Sequence, residues 1–156
     1  MPSKKWRASK PSDDVDYFER MCRALFQAGL NWKMIENKWP NFEKAFSKFS
    51  IGKVSRFDGK AVKRLMTDTG IVRNERKIRA TVHNAQQFLA IAKQYGSFEK
   101  YLYSFDNDEN ELISDLEKRF KRLGKSTSRM FLYMSGYKLK PTKEETAWHS
   151  RNAKNK

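Results

Sequence analysis

"FKRLGKSTSRMFLYMSG", Phe120 to Gly136, joins the end of one helical pattern to the start of another with only Leu123-Gly124 between them. A helix that opens directly after a glycine-containing hairpin points unpaired backbone N–H groups outward, and with the helix dipole they make a site for a phosphate. Here the groups are those of Gly124, Lys125 and Ser126, and the Ser126 and Thr127 hydroxyls and the Lys125 ammonium add contacts. The span Lys118 to Lys140 holds eight basic residues, among them Lys121, Arg122 and Arg129, and no acidic one. This is the pattern of a helix-hairpin-helix element, which grips a DNA strand through backbone donors and reads no base. Only the second half of the common apolar-Pro-Gly-x-Gly hairpin is kept, and a plain packing corner between two helices gives a similar pattern. The expected DNA contacts are Lys121, Arg122, Leu123, Gly124, Lys125, Ser126, Thr127 and Arg129.

The whole chain is consistent with such a partner. Its 156 residues suit one compact domain. Lys and Arg outnumber Asp and Glu by 33 to 18, a formal charge of +15 that nucleic acid would compensate. An anionic membrane is the rival, but no apolar run approaches the roughly 20 residues that span a bilayer, and the bases are not confined to one amphipathic helix. "MPSKKWRASKPSDD" is basic with no apolar segment behind it, so it does not read as a secretory signal and a cytoplasmic location is expected. Cys22, His83 and His149 do not make the usual four-ligand zinc set, and neither a metal nor a small-molecule cofactor is expected. Cys22 reads as a core side chain.

Outward from the hairpin the chain reads as all-α, a single domain of about seven or eight short helices over residues 13–149, with a flexible basic arm at 1–12 and a basic tail at 150–156. Tyr17, Phe18, Met21, Cys22, Leu25 and Phe26 recur at three- and four-residue spacing before Gly29. Asn31 caps a second helix with Trp32, Ile35 and Trp39, and Pro40 starts a third. Asp58 caps Ala61 to Met66, Asn74 opens the longest pattern, which stops at Gly96, and Ser97 to Phe105 gives one more short helix. Ser114 with Glu117 reads as a capping box for the helix before the hairpin, and Thr142 with Glu145 as another before a terminal helix with Trp148.

With these elements in view, the sequence resembles the bacterial 3-methyladenine DNA glycosylase I family of helix-hairpin-helix glycosylases. The blocks that carry the resemblance are "FERMCRALFQAGLNW", "NFEKAFSKFSIGKV", "VKRLMTDTGIVRNERKIRATVHNAQQFL" and "FKRLGKSTSRMFLYMSG", in the family's order. It implies an all-helical fold that admits a flipped-out nucleotide, and hydrolysis of the N-glycosidic bond of alkylated purines such as 3-methyladenine in base-excision repair. It also implies that Trp32 stacks on the excised base, with Gln27 in the same pocket helix. The family's adenine-binding glutamate maps to Ala24 and its zinc ligands are missing, which implies a metal-free branch with an altered base pocket. Lys138 and Lys140 stand where many related glycosylases carry a catalytic aspartate. Ser126 stands where bifunctional members carry a lysine nucleophile, with Lys125 one residue early, so a monofunctional enzyme is expected.

An alkylated purine is positively charged and a good leaving group, so stacking and extrusion supply much of the selectivity. The base pocket is expected from Trp32, Gln27, Ala24 and Trp148. Glu36, one turn after Trp32, and Glu145, beside Glu144 and Trp148, are the candidates for activating water, with Glu19 behind them, and His83 reads as structural. The expected partner is double-stranded DNA containing damaged bases, bound by a monomer. A noncatalytic protein of the same fold that recognises distorted duplex is the alternative, and a basic RNA-binding protein a third reading.

Overall fold

The computed structural model describes Trp6 and residues 8–153. Half of the expected basic arm, residues 1–5 and 7, the end of the basic tail, residues 154–156, and the side chains of His149 and Ala153 lie outside the described residues. Nine α-helices and no strand are present among the described residues: α1 (Asp14–Gln27), α2 (Trp32–Ala45), α3 (Ile51–Ser55), α4 (Gly59–Met66), α5 (Glu75–Tyr95), α6 (Phe98–Leu102), α7 (Glu109–Arg119), α8 (Lys125–Met134) and α9 (Lys143–Ala153). None is long and apolar enough to cross a membrane.

The starts of these helices follow local chemistry. Asp13, Asn31, Asp58, Asn74 and Ser97 each accept from a backbone N–H of the first turn that follows. Thr142 and Glu145 form the reciprocal pair expected before α9, at 3.0 and 3.1 Å. Two expected starts are corrected. Pro40 lies inside α2, because Ile35, Trp39 and Phe42 share one buried stripe that holds the helix together across the missing N–H. Ser114 lies inside α7, whose N-cap is Asp108, bonded to the Glu111 N–H at 3.1 Å. The count also exceeds seven or eight, since α2 runs into a left-handed turn at Ser47, Lys48 and Phe49 (φ 53°, 56° and 59°) before the separate α3. Phe49 anchors that turn, fully buried and stacked on Trp39 at 5.1 Å.

The long helix α5 is the spine, packing against α1, α3, α4 and α6, while α8 packs on α1 and α7. One aromatic cluster joins α1 to α2 through Phe26, Phe42 and Phe46, and another joins α5, α6 and α8 through Phe88, Phe98, Phe120 and Phe131. Cys22 is buried in the core, and burial pushes its thiol well above the usual range. The described part of the expected arm is docked: the Ser9 N–H donates to the Met134 carbonyl, Arg20 donates to the carbonyls of both, and Lys10 pairs with Glu99 at 2.8 Å.

Tyr17 presents the clearest defect in this core, for its hydroxyl is buried without a hydrogen-bond partner among the described residues. Burial holds the phenol neutral above the ordinary value near 10. A raised folded-state pKa contributes stability that is present below the unfolded value and is lost as pH rises through the folded one. Tyr17→Phe should raise stability at pH 7 by about 1 kcal/mol and flatten the alkaline loss. Thermal melts from pH 7 to 11 check this; a clear loss of stability at pH 7 would contradict it.

Candidate functional site

The chain between α7 and α8 is a tight hairpin. Phe120 and Leu123 are buried, Lys121 and Arg122 are exposed, and Arg122 adopts φ 62°, a left-handed conformation unusual for arginine. Asn84 of α5 holds this geometry. Its amide donates to the Lys121 carbonyl at 3.1 Å and accepts from the Lys121 N–H at 2.8 Å, and the residue is 1% exposed. His83 bonds the Arg119 carbonyl at 3.2 Å, which requires its Nε2 to carry the proton. Ser128 closes the other side by donating to the Leu123 carbonyl at 3.1 Å.

Gly124 is the N-cap of α8 and offers no side chain, so the first intrahelical bond is Ser128 N–H to the Gly124 carbonyl at 2.8 Å. The amides of Lys125, Ser126 and Thr127 therefore have no acceptor within the helix, and Thr127 joins the expected Gly124 to Ser126 set. A Cβ at position 124 would meet nothing within 4 Å, and no positive φ is needed there, so the fold does not demand glycine; the open space suits close approach of a ligand. Arg129 is half-buried and engaged, with Glu109 and Glu145 each at 3.6 Å and the Lys140 carbonyl at 3.1 Å. It ties α8 to α7 and to the segment leading into α9. That segment and α8 enclose a cleft of about 450 Å³ lined by Ser126, Met130, Tyr133, Leu139, Pro141 and Glu145.

Trp32 opens α2, its backbone set by Asn31, whose side chain accepts from the Lys33 and Met34 N–H groups. Its half-buried ring meets Trp6 edge-on at 5.9 Å, and Trp6 meets Trp39 edge-on at 5.3 Å. Glu19 Oε1 accepts from Trp39 Nε1 at 2.9 Å and from Arg23 at 3.0 Å, and the Arg23 guanidinium lies 4.5 Å from the centre of the Trp6 ring. Ala24 is fully buried and lines no open surface. Gln27 is half-buried and donates to the Ala24 carbonyl at 3.1 Å, and Glu36 follows one turn after Trp32. Trp148 stands on α9, 55% exposed.

Sequence reading passed over Trp6, Trp39, Arg23 and Asn84 as site residues. The only available signal for Trp6 was a lone tryptophan in a basic stretch, and Asn84 looked like any polar residue of a long helix. Lys77 was also missed. Its ammonium donates to the Phe26 and Ala28 carbonyls at 2.9 Å each, bracing the turn where Gly29 (φ 78°) and the exposed Leu30 connect α1 to α2. Burial, with the Arg122 charge nearby, lowers its pKa. The first turns of α5 thus lie under both the Leu30 turn and the hairpin. No three His, Cys, Asp or Glu side chains converge as metal ligands among the described residues.

The chain is similar to known proteins of one family. The methyladenine glycosylase family model matches residues 3–130. A DNA-3-methyladenine glycosylase of Haemophilus influenzae is 31% identical over 114 residues, covering 72% of this chain and 60% of that protein. DNA-3-methyladenine glycosylase 1 of Escherichia coli is 32% identical over 101 residues, 65% of this chain and 54% of that protein. The chain thus spans a little over half the length of these relatives. Among solved structures, 3-methyladenine DNA glycosylase I of Staphylococcus aureus superposes with a TM-score of 0.77 at 31% identity, covering 84% of this chain and 80% of that one. A variant of 3-methyladenine DNA glycosylase I in complex with 3-methyladenine superposes at 0.76 with 30% identity, covering 89% and 87%.

The hairpin geometry carries a direct expectation. Lys125→Glu reverses a charge beside the three outward amides, and Gly124→Leu fills the open space in front of them. Each should weaken binding to unrelated duplex sequences equally, by roughly tenfold at low salt. Anisotropy titrations decide it, and unchanged affinity in both folded variants would contradict a role in DNA binding.

Proposed function

The chain belongs to the methyladenine glycosylase family, and from that premise we propose that it is a monofunctional DNA glycosylase that releases alkylated purines from double-stranded DNA in base-excision repair. The observation that carries this is the joint placement of the hairpin and the Trp32 turn on the first turns of α5, through Asn84 and Lys77. The amides of Lys125 to Thr127 hold a strand phosphate without reading sequence. Lys121 and Arg122, both exposed, add charge beside it. Leu30, exposed at the tip of its turn, enters the stack as an apolar wedge, and the extruded nucleotide stacks on Trp32.

The chemistry asks little of the protein once the base is held. Water attacks the sugar C1′, the C1′–N bond breaks, and its electron pair returns to the purine, which leaves neutral because alkylation had made it cationic. The water proton goes to a carboxylate or to solvent. Of the two expected acceptors, Glu36 lies one turn after Trp32 on the same helix, whereas Glu145 stands on α9. The charged groups that contact Trp6 and Trp39 are Glu19 and Arg23, neither of them an amine, and Ser126 stands where bifunctional relatives carry a lysine nucleophile; on this reading water is the nucleophile. On this reading the protein acts as a cytoplasmic monomer without metal or cofactor.

Two observations favour the noncatalytic alternative, in which the protein only holds distorted duplex: Ala24 is sealed in the core, and Trp6 already touches Trp32. The test is single-turnover release of free base from methylated duplex at saturating protein. Trp32→Ala should slow release about tenfold or more while leaving affinity for undamaged duplex within about twofold. Tight binding by the wild type with no base released would establish the noncatalytic alternative instead.

A further inference from the structure

The outer face of α8, opposite its buried stripe, carries Ser126, Met130 and Tyr133 at helical spacing. Such a face is ordinarily polar, yet Tyr133 is 59% exposed, the most of any large hydrophobic side chain among the described residues. The segment leading into α9 stands beside this face without covering it. Both backbone groups of Lys140 are held, its N–H by Glu109 at 3.0 Å and its carbonyl by Arg129 at 3.1 Å, which fixes Leu139 and Pro141 as the facing wall. The cleft of about 450 Å³ between them adjoins a second of about 510 Å³ lined by Lys125, Lys143 and Glu144. Ser126, Arg129 and Glu145 line both clefts, so the two are halves of one groove that begins beside the amides of Lys125 to Thr127.

We propose that this groove is a second nucleic-acid site, taking an unpaired stretch of the strand whose phosphate the start of α8 grips, with one base stacked on Tyr133. Lys125, Lys138, Lys140 and Lys143 are exposed along the groove and the segment that walls it, and they ask for an anionic occupant. The acids against them are Glu144 and Glu145, and Glu145 already pairs with Arg129 at 3.6 Å and accepts from the Thr142 N–H. Ser126 to Tyr133 spans about 10 Å along the helix, or about three nucleotides at the spacing of stacked bases. A paired base turns no face outward, whereas an unpaired one can lie on an aromatic ring while lysines follow its phosphates. The occupant is therefore single-stranded, and it continues from the gripped phosphate because Ser126 belongs to both sites.

The inference rests on the DNA-gripping part of the proposed function, and the test separates the two. Anisotropy titrations compare an undamaged blunt duplex with the same duplex extended at its 5′ or its 3′ ends by about three unpaired nucleotides, for the wild type, Tyr133→Ala and Tyr133→Phe. A strand has a direction, so one polarity alone should bind about tenfold more tightly than the blunt duplex, within the range of one base stacked on an aromatic side chain. Tyr133→Ala should lose that gain and keep its affinity for the blunt duplex, and Tyr133→Phe should retain both. Equal gain from the two polarities, or a gain that survives in Tyr133→Ala, overturns the assignment. No gain from either polarity also overturns it, leaves the groove to a protein partner, and leaves the glycosylase reading in place. Should Tyr133→Ala fail to fold, the difference between the polarities alone decides. A wild type that does not bind even the blunt duplex overturns both this inference and the phosphate grip.

Discussion

The two hydrogen bonds between the Asn84 side chain and the backbone of Lys121 are the constraint on which the rest depends. The hairpin they hold contains Arg122 in a left-handed conformation, which costs a non-glycine residue about 1 kcal/mol or more. The two bonds contribute about 1 kcal/mol each, and leaving the buried Asn84 amide unpaired would cost more than that. The clamp therefore outweighs the strain, and the hairpin keeps its shape without the glycine that such turns ordinarily use. An arginine stands there instead, adding a charge beside the outward amides of α8.

Asn84 also sets direction. With Lys77 it lies on the buried side of α5, seven residues further along, so one rigid helix positions both the end of α1 and the hairpin. The Leu30 turn and the amides of Lys125 to Thr127 keep a fixed separation for the same reason. A protein that pulls one nucleotide out of a duplex needs such rigidity, because unstacking costs a few kcal/mol that only contacts held in place can offset. The electrostatics are divided in the same way. Lys121, Arg122 and Lys125 face solvent, whereas Arg20, Arg23 and Arg129 are spent on internal partners.

Much of the fold was legible in the sequence because helix starts are decided locally. Asp58, Asn74 and the Thr142–Glu145 pair announce their helices through side chains that reach only three residues ahead. Pro40 misled because its local preference was overruled by burial on either side of it, and Ser114 because Asp108, six residues earlier, had already begun the helix. The site was legible only in its outline. Gly124, Lys125 and Trp32 stand out by residue type and neighbourhood. Trp6, Arg23, Lys77 and Asn84 do not, because their partners lie far away along the chain: 37 residues separate Asn84 from Lys121, and 51 separate Lys77 from Phe26.

The central claim is that one rigid body grips a phosphate at the start of α8 and receives a base at the start of α2. The most direct measurement is an amide and indole NMR titration with a duplex that carries a non-hydrolysable damaged nucleotide. The account predicts that the amides of Lys125, Ser126 and Thr127 move together, saturating at one duplex per protein, and that the Trp32 indole N–H moves in the same step. Shifts confined to other surfaces, with these four signals in place at saturation, would contradict it.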